Sequence, residues 1–414
     1  MRNPEDSDFC YYPFFQILVS SDGKYRPCSK HQDYITHQGE ELRAGTATFE
    51  DAWNSDYMQD IRQHFHENKK FPGCSECWRM QKMGLKSMRY DSYYYDIPDA
   101  QVEDPQKPMR IEINASNVCN LRCRICYPVA STKWIKEAKE LDGREEKVYI
   151  NLQGENLEQL KNWADNLDEV CLFGGEPMLS EENMEMLDYF IESGHAHKIA
   201  LLFNTNGTVF TEAIQNRLQQ FRQVRMFFSI DDIGKRFEYQ RSGANWEEVS
   251  ENIRKAYEFA RTAGNEHIHF KICCSFSILN AYYMPEFFDY LNLNFPGLKV
   301  FFNIIFDPKR FSVQILPEPL KAVIRERLRS IRPTFEMTEE ETKTFENLIT
   351  FMDFEEDVPF GEFFRLINRH DVYRKESYPE VFPEFWKRIE GYMPDFLVPG
   401  QYEEKDFLAM QSRR

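Results

Sequence analysis

The chain has 414 residues, 42% of them hydrophobic and 15% aromatic, enough for one barrel with an appendage or for two to three average domains. Its formal net charge of −17 is spread along the sequence with no Lys/Arg block, which disfavours nucleic acid, since a phosphate backbone wants a basic stripe. Apolar runs such as residues 199–203 are too short for a bilayer, the acidic N-terminus lacks a signal peptide's apolar core, and ten cysteines in that setting point to metal ligands in a cytoplasmic protein.

In chain order, the first hundred residues are aromatic-rich and irregular and carry four cysteines. Cys10 opens an aromatic run, Cys28 closes a strand–turn–strand pattern over residues 21–27, and Cys74 and Cys77 form a C-x2-C knuckle. Four thiolates make a closed set, suited to structural zinc or to a fully ligated iron–sulfur cluster. Spacing alone leaves the metal open. Residues 101–108, with two prolines and three charges, read as a linker.

From Met109 onward strand and helix patterns alternate. Strands are predicted over residues 110–115, 169–173, 198–204, 225–230, 267–275 and 299–305. Helices are predicted over 155–166, 181–193, 212–221, 246–263 and 284–291. For the helix beginning at Trp246, Asn245 is the expected cap, Glu247 and Glu248 complement the dipole, and Gly264 is the stop. Residues 127–152 read as an insertion. Alternating strands and helices imply a parallel sheet. After Arg310 come proline-punctuated helices over 319–332 and 338–353, then an aromatic tail.

The chemistry-bearing motifs fall where a parallel barrel keeps its reactive groups, on loops after the strands' C-terminal ends. Cys119, Cys123 and Cys126 (C-x3-C-x2-C) follow the first strand, and Gly174-Gly175-Glu176-Pro177 follows the second. Asn204-Thr205-Asn206-Gly207 ends the third, Ser229-Ile230-Asp231 the fourth, and Asn280 lies after the fifth. Asn206 and Asn280 suit capping or turn roles as well as contact. Cubane clusters normally take four cysteines, so three leave one iron open to a small molecule.

That loop resembles the radical S-adenosylmethionine (radical SAM) superfamily. The resemblance implies an α/β fold built on a partial (β/α)6 TIM-like barrel, with a [4Fe–4S] cluster on Cys119, Cys123 and Cys126. It also implies S-adenosylmethionine on the open iron, cleaved reductively to a 5′-deoxyadenosyl radical. One departure is visible: Ile125 stands where the family places an aromatic, and Tyr127 follows the third cysteine. Gly174, Gly175, Glu176 and Pro177 resemble the family's GGEP motif, in which glycines admit close backbone approach and acceptors meet the cofactor's amino group. Ser229 and Asp231 match positions that contact polar groups of the cofactor. Arg241 resembles the arginine that binds its carboxylate, and Asn204 and Tyr127 complete the expected contact set.

Cys10, Cys28, Cys74 and Cys77 resemble the SPASM/twitch auxiliary-cluster modules of that superfamily, here placed before the barrel. This tips the metal toward a second [4Fe–4S] cluster over zinc. Asp371-Val372-Tyr373-Arg374 and residues 382–384 resemble the C-terminal signature of twitch-containing members. The expected organisation is therefore an auxiliary module over 1–100, a barrel over 109–310 and a helical extension over 311–414. The implied reaction is hydrogen abstraction from a peptide or protein side chain, fed by a flavodoxin- or ferredoxin-type donor. A small molecule such as an aminosugar is the alternative substrate, and a non-catalytic iron–sulfur or zinc binding protein the alternative class. Cys171, Cys273 and Cys274 lie in apolar strands and read as small buried hydrophobes, and His195 and His197 as surface residues.

Overall fold

The computed structural model describes residues 4–262, 264–333, 337–394 and 397. The principal strands are β1 (Gln16–Val19), β2 (Tyr25–Arg26), β3 (Arg110–Asn114), β4 (Glu169–Phe173), β5 (Ala200–Thr205), β6 (Gln223–Ser229), β7 (Ile268–Phe276) and β8 (Val300–Ile304). The chain forms two compact units. One takes Met1–Arg122, Cys126–Ser229 and Val249–Lys271; the other takes Cys123–Ile125, Ile230–Glu248 and Ile272–Arg414.

The first unit holds a mostly parallel sheet in the order β2-β1-β3-β4-β5-β6, and the Val224 N–H reaches the His267 carbonyl at 2.9 Å where β7 begins. One face is packed shut: Ile111, Ile113, Val170, Leu172, Leu201, Phe203, Val224, Met226 and Phe228 are all fully buried. The other face carries Asn114, Phe173, Asn204, Phe227 and Ser229, all half-exposed at the strands' C-terminal ends. Strand alternation thus separates a sealed apolar side from a mixed, reachable side. Helices Glu155–Trp163, Glu181–Glu192 and Glu212–Leu218 connect the strands, so the α/β class expected from sequence is the class observed.

β1 was not expected in this sheet. Its Gln-Ile-Leu-Val run lies in the cysteine-rich N-terminal segment, yet it pairs in parallel with β3 from Gln16↔Arg110 to Val19↔Ile113. All four residues are buried, as suits a strand covered on both faces. β1 and β2 also form the anticipated hairpin, its turn closed by the Gly23 N–H on the Ser20 carbonyl. The stretch read as an insertion contains a helix at Ile135–Asp142 and returns to the cysteine loop, where Ile150 bridges Ser116.

In the second unit Ile272–Phe276 of β7 pairs in parallel with β8. The unit's helices include Gly234–Gln240, Met284–Asn294, Glu318–Ser330, Glu339–Phe351, Gly361–Arg374, Tyr378–Val381 and Pro383–Ile389. Asn245 caps the helix beginning at Trp246 as expected, its Oδ1 accepting the Glu248 N–H at 3.2 Å. Tyr378 stacks on Phe382 with ring centres 4.6 Å apart, and Tyr239 meets both edge-on. Among the described residues no helix is long and apolar enough to cross a membrane.

Candidate functional site

In the first unit the loop carrying Cys119 is held by its neighbours on all sides. The Thr132 N–H bonds the Asn117 carbonyl at 2.9 Å and the Ser131 hydroxyl the Leu121 carbonyl at 2.6 Å. The Gly174–Pro177 turn lies against the same loop. Gly175 has φ +52°, and a Cβ there would sit 2.2 Å from the Val118 carbonyl oxygen; one at Gly174 (φ +73°) would meet Asn114 at 2.6 Å. Both positions therefore require glycine. The Glu176 N–H completes the contact by donating to the Val118 carbonyl at 2.8 Å.

Gly174 and Gly175 are half-exposed, but Glu176 is buried and its carboxylate is engaged within the protein. It accepts the Met178 N–H (3.1 Å), the Thr205 hydroxyl (2.6 Å) and the Asn206 N–H (2.7 Å). Glu176 is thus a brace between the loops after β4 and β5. Asn206 extends the brace to the cysteine loop, its amide 2.9 Å from Asn120 Oδ1 and 3.9 Å from Cys119 Sγ. Its own Oδ1 accepts the Thr208 N–H, so the turn role and the contact role coexist. Cys126 and Tyr127 are half-exposed and exposed respectively, and Asn204 and Ser229 share the half-exposed face.

In the second unit Arg241 joins two of the sequence candidates. Its guanidinium lies 2.8 Å from Asp231 Oδ2 and 3.8 Å from Cys123 Sγ. Burial opposes its charge, but Asp231 and Cys123 hold it above the ordinary arginine range. Burial likewise raises the Cys123 thiol, with Arg241 pulling it down. Asp231 is fixed in turn: Oδ1 accepts the Ser275 N–H at 2.7 Å and its backbone carbonyl accepts the Asn280 amide at 3.0 Å.

Sequence reading passed over Arg124, which sits between two of the three cysteines. Its side chain is buried over the Tyr239 ring at 3.5 Å, with Asp371 at 2.6 Å and Glu376 as carboxylate partners. The Tyr239 hydroxyl and the Tyr378 N–H also bond Asp371, each at 2.6 Å. This explains the Asp371 signature: it anchors the middle of the cysteine loop. Arginines inside the cysteine motif, Arg122 and Arg124, were the available signal.

The N-terminal four cysteines converge in the first unit. Cys10, Cys28, Cys74 and Cys77 line one small cavity with Tyr12, Phe65, Trp78 and Met88. Burial pushes Cys10 up to about 12 and raises Cys28, Cys74 and Cys77; neighbouring thiols add to the first three. Four thiols around one shared cavity are a complete donor set for a fully ligated iron–sulfur cluster. His31 enters the same cavity, and burial takes it down to about 4 against the pull of Asp33. Cys171, Cys273 and Cys274 are buried in β4 and β7, as expected.

A C-x3-C-x2-C motif and a glycine turn after the strands of an α/β sheet, together with four thiols on one cavity, are the donor sets of an iron–sulfur protein. The Radical SAM superfamily model matches residues 113–268 and the SPASM iron–sulfur cluster-binding domain model matches residues 10–78. The chain thus carries a radical SAM domain and a SPASM-type auxiliary-cluster domain, and its cofactors are S-adenosylmethionine, a [4Fe–4S] cluster and an auxiliary iron–sulfur cluster. A GTP 3′,8-cyclase from Syntrophomonas wolfei is 28% identical over 151 residues, spanning 36% of this chain and 42% of that protein. The chain therefore spans under half the length of that curated relative. Among solved structures, anSMEcpe with bound AdoMet is 18% identical over 53% of this chain and 59% of that one, with a TM-score of 0.40. Streptococcus suis SuiB bound to S-adenosylmethionine is 13% identical over 86% and 70%, with a TM-score of 0.34.

Proposed function

We propose that this protein is a radical SAM enzyme that abstracts hydrogen from a peptide or protein side chain, leading to crosslinking, epimerisation or oxidation. Cys119, Cys123 and Cys126 hold the cluster that binds S-adenosylmethionine, and Cys10, Cys28, Cys74 and Cys77 hold the auxiliary cluster. Reduced cluster and sulfonium together supply the radical chemistry when bound. The chain's own residues position and shield. Gly174 and Gly175 bring backbone close to the ligand, and the Glu176 brace fixes that turn against Val118 and Asn206. Asn204, Ser229 and Tyr127 add contacts, and Asp231 presents Arg241.

The observation that carries this reading is the Glu176 carboxylate, which ties the loops after β4 and β5 together beside Cys119. The SPASM match supports a peptide or protein substrate through the resemblance to auxiliary-cluster enzymes. Residues 1–100 serve as the auxiliary module, 109–310 as the cofactor-binding domain and 311–414 as an extension anchoring the cysteine loop. A flavodoxin- or ferredoxin-type protein in the cytoplasm supplies the electron. Anaerobic reconstitution and assay for 5′-deoxyadenosine test the proposal. Intact clusters with dithionite and S-adenosylmethionine but no deoxyadenosine would favour a non-catalytic binding protein, and turnover of an aminosugar but no peptide would favour the small-molecule reading.

A further inference from the structure

Among the side chains that line the cavity of the four N-terminal cysteines is His31, which the reading above leaves without a role. The residue is 1% exposed. Nδ1 lies 3.6 Å from Cys74 Sγ, within reach of an N–H···S bond, and Nε2 lies 2.7 Å from the Tyr57 hydroxyl. Tyr57 also reaches Asp33 Oδ2 at 3.4 Å, and a ligating Cys74 thiolate carries no hydrogen, so across the 3.6 Å contact the imidazole is the donor and Nε2 accepts from Tyr57. A neutral imidazole carries one N–H. With Nε2 accepting from Tyr57, that hydrogen sits on Nδ1 and points at the Cys74 sulfur.

The surroundings hold the ring in that pose. The His31 N–H bonds the Cys28 carbonyl at 3.2 Å, Arg26 donates to the His31 carbonyl at 3.3 Å, and Phe71 stacks on the ring at 5.8 Å. Gly73 is required beneath it. A Cβ there would lie 2.5 Å from His31 Cε1 and Nε2, so any larger residue before Cys74 would displace the imidazole.

We propose that His31 is a positioning residue of the auxiliary cluster, donating a hydrogen bond from Nδ1 to the Cys74 sulfur and thereby raising the cluster's reduction potential. This rests on the assignment of Cys10, Cys28, Cys74 and Cys77 as its ligands. The physical reason is that a donor on a ligating sulfur stabilises negative charge, and the reduced cluster carries more of it. Tyr57 acts one step out by fixing which nitrogen holds the hydrogen.

The test uses the full chain, reconstituted anaerobically with iron and sulfide, in the wild type, His31→Leu and Tyr57→Phe. Iron content is measured, and each cluster's midpoint is followed by potentiometric titration with low-temperature electron paramagnetic resonance. The expected result is full iron content in both variants and a more negative auxiliary midpoint. The shift is larger in His31→Leu than in Tyr57→Phe, and the other cluster does not move. A weak nitrogen coupling on the auxiliary signal disappears in His31→Leu alone. An unchanged auxiliary midpoint in the iron-replete His31→Leu protein overturns the proposal, as does a strong coupling that makes His31 a ligand. Should His31→Leu lose auxiliary iron, Tyr57→Phe decides, since it leaves the imidazole in place: a shift upholds the proposal and none overturns it. A wild-type protein with only one cluster signal defeats the ligand assignment itself, an outcome visible before any variant is measured.

Discussion

Three of the four N-terminal cysteines, Cys10, Cys28 and Cys77, are buried, whereas Cys74 and all three of Cys119, Cys123 and Cys126 are half-buried. The closed set is wrapped by Tyr12, Phe65 and Trp78. Polar groups reach both sets, His31 beside Cys74 in the closed one, and Asn206 beside Cys119 and Arg241 beside Cys123 in the open one. The contrast follows from what each must do. Four thiols complete a cluster's coordination and need only exclusion of water, while three leave a position to which a polar molecule must gain access. Free thiols in an apolar cavity resist ionisation, so metal binding must compensate proton release.

The sharpest break of that comparison is Cys123→Ala, expected to abolish deoxyadenosine formation while the auxiliary signal survives. Cys74→Ala should do the reverse in its metal content: auxiliary iron is lost and the cofactor-responsive signal remains. Unchanged iron in Cys74→Ala would refute the auxiliary assignment. Next in size is Asp371→Ala, which strips a carboxylate from the buried Arg124. Arg124 keeps Glu376, so the loss should fall below the roughly 3–5 kcal/mol of a buried charge with no partner, read by denaturant unfolding, and iron should be lost from the three-cysteine loop and not from the four-cysteine set.

Glu176→Gln keeps the shape but offers an amide to the Met178 and Asn206 N–H groups. A buried donor left unsatisfied costs roughly 1–3 kcal/mol, and affinity for S-adenosylmethionine, followed by its effect on the paramagnetic signal, should weaken. The smallest effect is expected for Asn206→Ala: iron retained, with a modest change in the midpoint of the three-cysteine cluster. An effect as large as that of Glu176→Gln would mean that Asn206, and not the carboxylate, holds these loops together.

Local chemistry made much of this molecule legible in its sequence. Cysteine spacing, the Gly-Gly-Glu-Pro turn and the alternation of strands with helices are short-range patterns, and each sits in the element anticipated for it. Asn245 capping the helix at Trp246 is of the same kind. The pairing of β1 with β3 was not legible, because a short apolar strand has no signal for which distant edge it joins. The Arg124–Asp371 pair was hidden for a related reason, its partners standing 247 positions apart.

Sequence by itself determined the donor atoms: which thiols exist, in what spacing, and which turn follows which strand. Tertiary structure decided what surrounds them, since burial and hydrogen-bond partners arise only when distant segments meet. Glu176 became a brace because Thr205 and the Asn206 N–H reach its carboxylate, and Arg124 became an anchor because a cation removed from water must be met by carboxylates wherever the chain supplies them.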